Sequence, residues 1–194
     1  MKRIAWAVVA AGALLTVGHA GEQPAKAINS SQAETKGDTS MAITITSSAF
    51  KEGGMIPSKH TCDSVDVSPP LSWSGVPHMA KSLALICDDP DAPSKTWVHW
   101  VLYNIPPDTN SLAEGVPPDS TLPNGAMHGF TDFKRLGYGG PCPPSGTHRY
   151  YFKLYALDTM LKLEGRVTKQ VLLDAMTGHV VAEGALMGRY ARAK

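Results

Sequence analysis

The spacing of hydrophobic residues changes character along the chain. Residues 4–17 form an uncharged, mostly apolar run behind Lys2 and Arg3, whereas residues 21–40 are polar and aperiodic. From Met41 onward, short apolar segments alternate with stretches rich in Pro and Gly. Ile43-Thr44-Ile45-Thr46 alternates as a half-buried strand does, and Leu71-Ser72-Trp73 is a second short candidate. Ser82 to Cys87 is continuously apolar, the pattern of a central strand covered on both faces. Trp97 to Tyr103 is aromatic and β-branched, which supports strand over helix. Tyr150 to Leu157 is the strongest strand signal of all. One helix is predicted, Lys169 to Met176, capped by Thr168, stopped by Gly178, with Val171, Leu172 and Ala175 inward. Residues 179–187 fit either a strand or a second helix.

Composition sharpens this reading. Fifteen prolines and eighteen glycines in 194 residues suit strands joined by shaped loops better than a helical bundle. Together with several strands and one or two late helices, they predict a β-dominated domain of two packed sheets. The positive start, the apolar run and the small residues at Gly18-His19-Ala20 have the grammar of a signal peptide. The run is short of the roughly 20 residues that span a bilayer, so no membrane span is expected. The expected organisation is a signal peptide over 1–20, a flexible linker over 21–40 and one domain over 41–194. Cleavage is expected after Ala20, with Ala27 as a second candidate, and the product would be periplasmic or secreted.

Charge narrows the partners. Lys plus Arg number 18 and Asp plus Glu 17, so no concentrated basic surface is available and no nucleic-acid partner is expected. Cys62, Cys87 and Cys142 would mature in an oxidising compartment; they allow three single pairings, among which the sequence does not choose. The chain contains no C-x-x-C pair, so no metal is expected, and no motif calls for a cofactor.

Two segments carry candidate chemistry. The first is Asp88-Asp89-Pro90-Asp91-Ala92-Pro93, followed closely by Trp97-Val98-His99-Trp100. In a regular strand Trp97 and His99 share one face, and Val98 and Trp100 the other. The second runs from Gly137 to Tyr150 through Pro141-Cys142-Pro143-Pro144-Ser145-Gly146-Thr147. Its glycines permit backbone shapes that turn N–H groups toward an anion. At the start of the next strand His148 and Tyr150 share a face, with Arg149 opposite. Each piece alone is weak. Two strand histidines, each beside a proline-stiffened loop, point to one site.

These segments closely resemble the two signature regions of the phosphatidylethanolamine-binding protein family, which includes Raf kinase inhibitor proteins and plant flowering regulators. Thr61-Cys62-Asp63, Ser68-Pro69-Pro70-Leu71-Ser72-Trp73 and Tyr103-Asn104-Ile105-Pro106 extend the likeness, and with Pro141 to Pro144 they resemble the bacterial Raf-kinase-inhibitor-like branch, the YbhB/YbcL type. The resemblance implies a fold of two packed β-sheets with one or two short C-terminal helices and a small pocket for phosphate or phosphoryl headgroups. By motif position, Asp89, Asp91, Pro93, Trp97, His99, Pro144, His148 and Tyr150 are expected to line or brace it.

Three functions follow as expectations. The first is a binding protein for a phosphorylated small molecule or lipid headgroup, modulating a protein partner. The second is an inhibitor of a protease or kinase acting by surface contact. The third is a hydrolase using the Asp/His pocket, disfavoured because no Gly-x-Ser-x-Gly elbow, His-Glu-x-x-His or phosphate-binding Walker loop is present. A long exposed sheet face would also suit a homodimer.

Overall fold

The computed structural model describes residues 41–193. The expected signal peptide and linker lie outside the described residues. Nine strands form two sheets: β1 (Met41–Ala42), β2 (Thr44–Thr46), β3 (Leu71–Ser74), β4 (Ser82–Asp89), β5 (Trp97–Ile105), β6 (Ser111–Leu112), β7 (Met127–His128), β8 (His148–Leu157) and β9 (Val180–Tyr190), with helix α1 (Lys169–Met176) between the last two. The larger sheet has the order β1-β9-β8-β4-β5-β7 and the smaller β2-β3-β6. All pairings between strands are antiparallel except the two-residue β1–β9 contact.

β4 is the axis of the molecule. All eight of its positions are buried, the apolar run from Leu83 to Cys87 included, as expected of a strand with cover on both faces. Leu83, Leu85 and Cys87 point into the cluster shared with the small sheet, where Ile45, Leu71 and Trp73 meet them. Ala84 and Ile86 point the other way, under α1, and join Leu172 and Met176. β8 is the strand its sequence predicts, and it pairs with β4 on one side and β9 on the other.

The fold decides three local points. Between the two readings of 179–187, strand holds from Val180 onward, because β8 offers an open ladder that β9 fills from His148↔Tyr190 to Leu157↔Val180. On α1 the inner residues are Leu172 and Met176, one turn apart, while Val171 is 39% exposed. Adjacent helical positions are turned about 100° from each other, so Val171 leaves the buried face. Thr168 does cap the helix, accepting from the Val171 N–H at 3.4 Å. The third point matters most for the site. Trp100 does not share a face with Val98: Val98 packs under the helix, and Trp100 lies between the sheets. The register steps from Cys87↔Trp100 to Asp88↔Val98, which leaves His99 as an extra residue in β5. This bulge turns His99 and Trp100 toward the same side of the sheet.

Candidate functional site

The C-terminal end of β4, the start of β5 and the start of β8 lie side by side, with Asp89 paired to Trp97. A cavity of about 340 Å³ opens there, lined by Asp89, Ala92, Pro93, Trp97, His99, Phe133, the three-residue run Cys142-Pro143-Pro144, and His148. Its walls are largely apolar, and the titratable side chains that line it among the described residues, apart from the disulfide-bonded Cys142, are one carboxylate and two imidazoles.

Each polar group is held by a specific partner. Asp89, 3% exposed, accepts from His148 Nδ1 at 2.7 Å through Oδ2 and from the Asp91 N–H at 2.8 Å through Oδ1. His99, 2% exposed, donates from Nδ1 to the Gly139 carbonyl at 2.6 Å, and the Gly139 N–H returns a bond to the His99 carbonyl at 3.0 Å. Burial lowers the His99 pKa below the ordinary imidazole value, and the acceptor at Gly139 and the charge of Asp89 only partly oppose it. Among the described residues neither ring has a hydrogen-bond partner at Nε2.

Of the eight residues expected at the site, Asp89, Pro93, Trp97, His99, Pro144 and His148 line the cavity. Asp91 and Tyr150 do not. Asp91 faces outward and is gripped by Arg149 through Nε at 2.9 Å, Nη2 at 2.7 Å and the backbone N–H at 2.9 Å. Those bonds hold the Asp91 carboxyl down at about 2, and they tie the 89–93 turn to the first residues of β8. Tyr150 stacks edge-on against His99, ring centroids 5.2 Å apart, and its buried hydroxyl has no hydrogen-bond partner among the described residues. Burial first, and then the Asp89 charge, push that phenol well above its ordinary range.

The glycine loop works differently from the sequence-based expectation. The Gly139 and Gly140 amides do not face a guest: the first bonds the His99 carbonyl and the second donates to Asp66 Oδ1 at 2.6 Å. Their lack of a side chain is needed for close approach. A Cβ at Gly140 would lie 2.4 Å from the His60 carbonyl oxygen, and one at Gly139 would lie 2.6 Å from the Phe133 ring.

Phe133 escaped the sequence reading. It meets Trp97 and His99 edge-on, at 5.5 and 5.4 Å between centroids, and completes the apolar wall. Its loop docks on β5 through Asp132, which accepts the Val98 N–H at 2.8 Å. The only signal was a lone aromatic in the polar run Asp132-Phe133-Lys134-Arg135. The opposite wall is fixed by a disulfide between Cys62 and Cys142, Cα atoms 5.5 Å apart. Cys87 remains a buried free thiol, and burial raises its pKa well above the ordinary value. Among the described residues no group of three or more His, Cys, Asp or Glu is placed to hold a metal.

This is a two-sheet β protein with a small, largely apolar cavity floored by an Asp–His pair and a second imidazole. The family model described as phosphatidylethanolamine-binding protein matches residues 46–191, and the chain belongs to that family. Within it the chain stands with the YbhB/YbcL type. It is 60% identical over 144 residues to a UPF0098 protein of Methanothermobacter thermautotrophicus, covering 74% of this chain and 95% of the relative. Among solved structures, the phosphatidylethanolamine-binding protein homologue CT736 of Chlamydia trachomatis superposes with a TM-score of 0.73 at 46% identity, over 79% of this chain and all of that one. YbcL of E. coli matches with the same TM-score at 33% identity, over 78% of this chain and 99% of its own.

Proposed function

We propose that this is an exported binding protein whose cavity takes phosphate or a phosphoryl headgroup. One observation carries the reading: two imidazoles from different strands, each anchored through Nδ1, share one cavity with Nε2 unpaired among the described residues. The cavity volume of about 340 Å³ suits a small ligand. The apolar walls formed by Trp97, Phe133 and the prolines suit the uncharged flank of a headgroup. Membership of the phosphatidylethanolamine-binding family supports a binding role. Cys142, the one thiol candidate at the cavity, is spent in the disulfide, which favours binding over covalent catalysis.

Titration calorimetry with inorganic phosphate tests the reading. His99→Ala and His148→Ala are each expected to weaken binding at least tenfold; unchanged affinity in both would remove the site. Export is supported by the N-terminal pattern over 1–20 and by a disulfide, which persists in oxidising compartments. Mass measurement of protein recovered from the host should show residues 1–20 or 1–27 removed.

A further inference from the structure

We infer that the cavity takes up a phosphoryl group only together with a proton, and so selects singly charged phosphomonoesters that keep a P–OH over dianions and over diesters. This deepens the phosphoryl reading above and rests on it.

The tautomer of His99 is the starting point. Its Nδ1 lies 2.6 Å from the Gly139 carbonyl oxygen, which can only accept, so Nδ1 carries the proton. In the neutral ring Nε2 is then a lone pair, and it has no partner among the described residues. A lone pair at the wall of a cavity asks its guest for a donor. A phosphate dianion has only acceptors to offer; a monoanion with one P–OH can donate to His99 and still accept elsewhere. Burial keeps the ring in this neutral form by lowering its pKa.

Charge points the same way. Among the described residues neither Lys nor Arg lines the cavity, and the carboxylate that does, Asp89, is bonded to His148. With His148 protonated the Asp89–His148 pair sums to zero; with His148 neutral the lining is negative. Neither state compensates a double negative charge. The groups packed around His99 do not change the count. Tyr150 and Cys87 are protonated neutral groups from β8 and β4. Asp66, which accepts the Gly140 N–H, is paired with Arg135 at 3.1 Å, and Arg135 lies over the Phe133 ring and is not among the residues that line the cavity. Asp91 and Arg149 neutralise each other on the outer surface.

The test compares methyl phosphate with dimethyl phosphate by titration calorimetry at pH 5.0 and pH 8.0, in two buffers of different ionisation enthalpy. The second pKa of a phosphomonoester is about 6, so methyl phosphate affinity is expected to fall roughly 100-fold across that range. At pH 8.0 the buffer dependence should report about one proton taken up per ligand. Dimethyl phosphate, singly charged throughout but without a P–OH, should bind at least tenfold more weakly than methyl phosphate at pH 5.0. Methyl phosphate affinity that is flat or rising with pH overturns the inference and leaves the phosphoryl site standing. A diester that matches the monoester at pH 5.0 overturns it too. No binding of either compound, or of inorganic phosphate, at both pH values overturns the phosphoryl reading as well. The imidazole 15N shifts give a ligand-free readout near pH 7: Nε2 of His99 should be the unprotonated nitrogen, and a proton there would refute the donor requirement.

Discussion

The Asp89 carboxylate accepts the Nδ1 proton of His148 across 2.7 Å at the buried floor of the cavity, joining the end of β4 to the start of β8. The same carboxylate also takes the Asp91 N–H, so it shapes the turn that forms one rim. Asp89→Ala would leave the buried imidazole N–H and that amide without their acceptor. Such orphaned buried groups cost about 1–3 kcal/mol each, so urea unfolding should show a loss of about 2 kcal/mol or more. Phosphate affinity should fall with it, because His148 loses its orientation.

Acid sensitivity should report the Asp91–Arg149 grip. The folded carboxyl is held at about 2, below the ordinary value of 3.8. A depressed carboxylate contributes stability that is fully present above its unfolded pKa and is lost as pH falls through the folded one. The window therefore runs from roughly pH 4 down to pH 2. Urea midpoints of Asp91→Asn should converge on those of the unmodified protein across that window, and a constant gap at every pH would refute the assignment.

Reduction should loosen one wall before the rest. Residues 142–146 make no hydrogen bond to described residues, and beside the Cys62 N–H bond to the Pro141 carbonyl at 3.1 Å the disulfide is their tie to the 58–64 segment. The bridged cysteines are 80 residues apart, and closing such a loop is worth roughly 4–5 kcal/mol in the chain-entropy view. Hydrogen exchange after reduction should rise first across 139–147 while β4 and β8 stay protected. Uniform loss of protection would make the bond a general staple, not a wall support.

Gly140→Ala should be among the more damaging single substitutions. The added methyl would meet the His60 carbonyl at 2.4 Å, Asp66 Oδ1 at 2.5 Å and Thr61 Cα at 2.7 Å. Two of the three are backbone atoms, which cannot swing aside, so thermal or urea unfolding should show a loss of about 2 kcal/mol or more. Phosphate binding should weaken as well, because the shift displaces the neighbouring Gly139 carbonyl from His99. A variant as stable as the parent would show that this loop has slack.

Much of the fold is legible because its signals are local. The run from Leu83 to Cys87 in β4 reads as unbroken and apolar, β8 as a stretch of aromatic and apolar strand formers, and α1 through its Thr168 cap and the Gly178 stop. The cavity lining is partly legible for the same reason: Asp89, Trp97, His99 and His148 lie at or near strand ends that follow or precede proline-containing loops, where backbone freedom is low. Periodicity failed where one residue too many entered β5. The bulge at His99 turns Trp100 inward, and no count of alternating positions contains it, because it exists only in the pairing with β4.

The residues themselves settled most of the long strands (though not β9), where the helix starts and stops, and which side chains could serve an anion, since propensity and patterning act over a few neighbours. Contacts between distant segments decided the rest. Folding chose Cys62 and Cys142 from three possible pairs, carried Phe133 to a wall of the cavity, and spent the glycine amides on His99 and Asp66. It also fixed the proton of His99 on Nδ1. Each of those outcomes depends on which backbone carbonyl, thiol or ring arrives from tens of residues away, and no local pattern encodes that arrival.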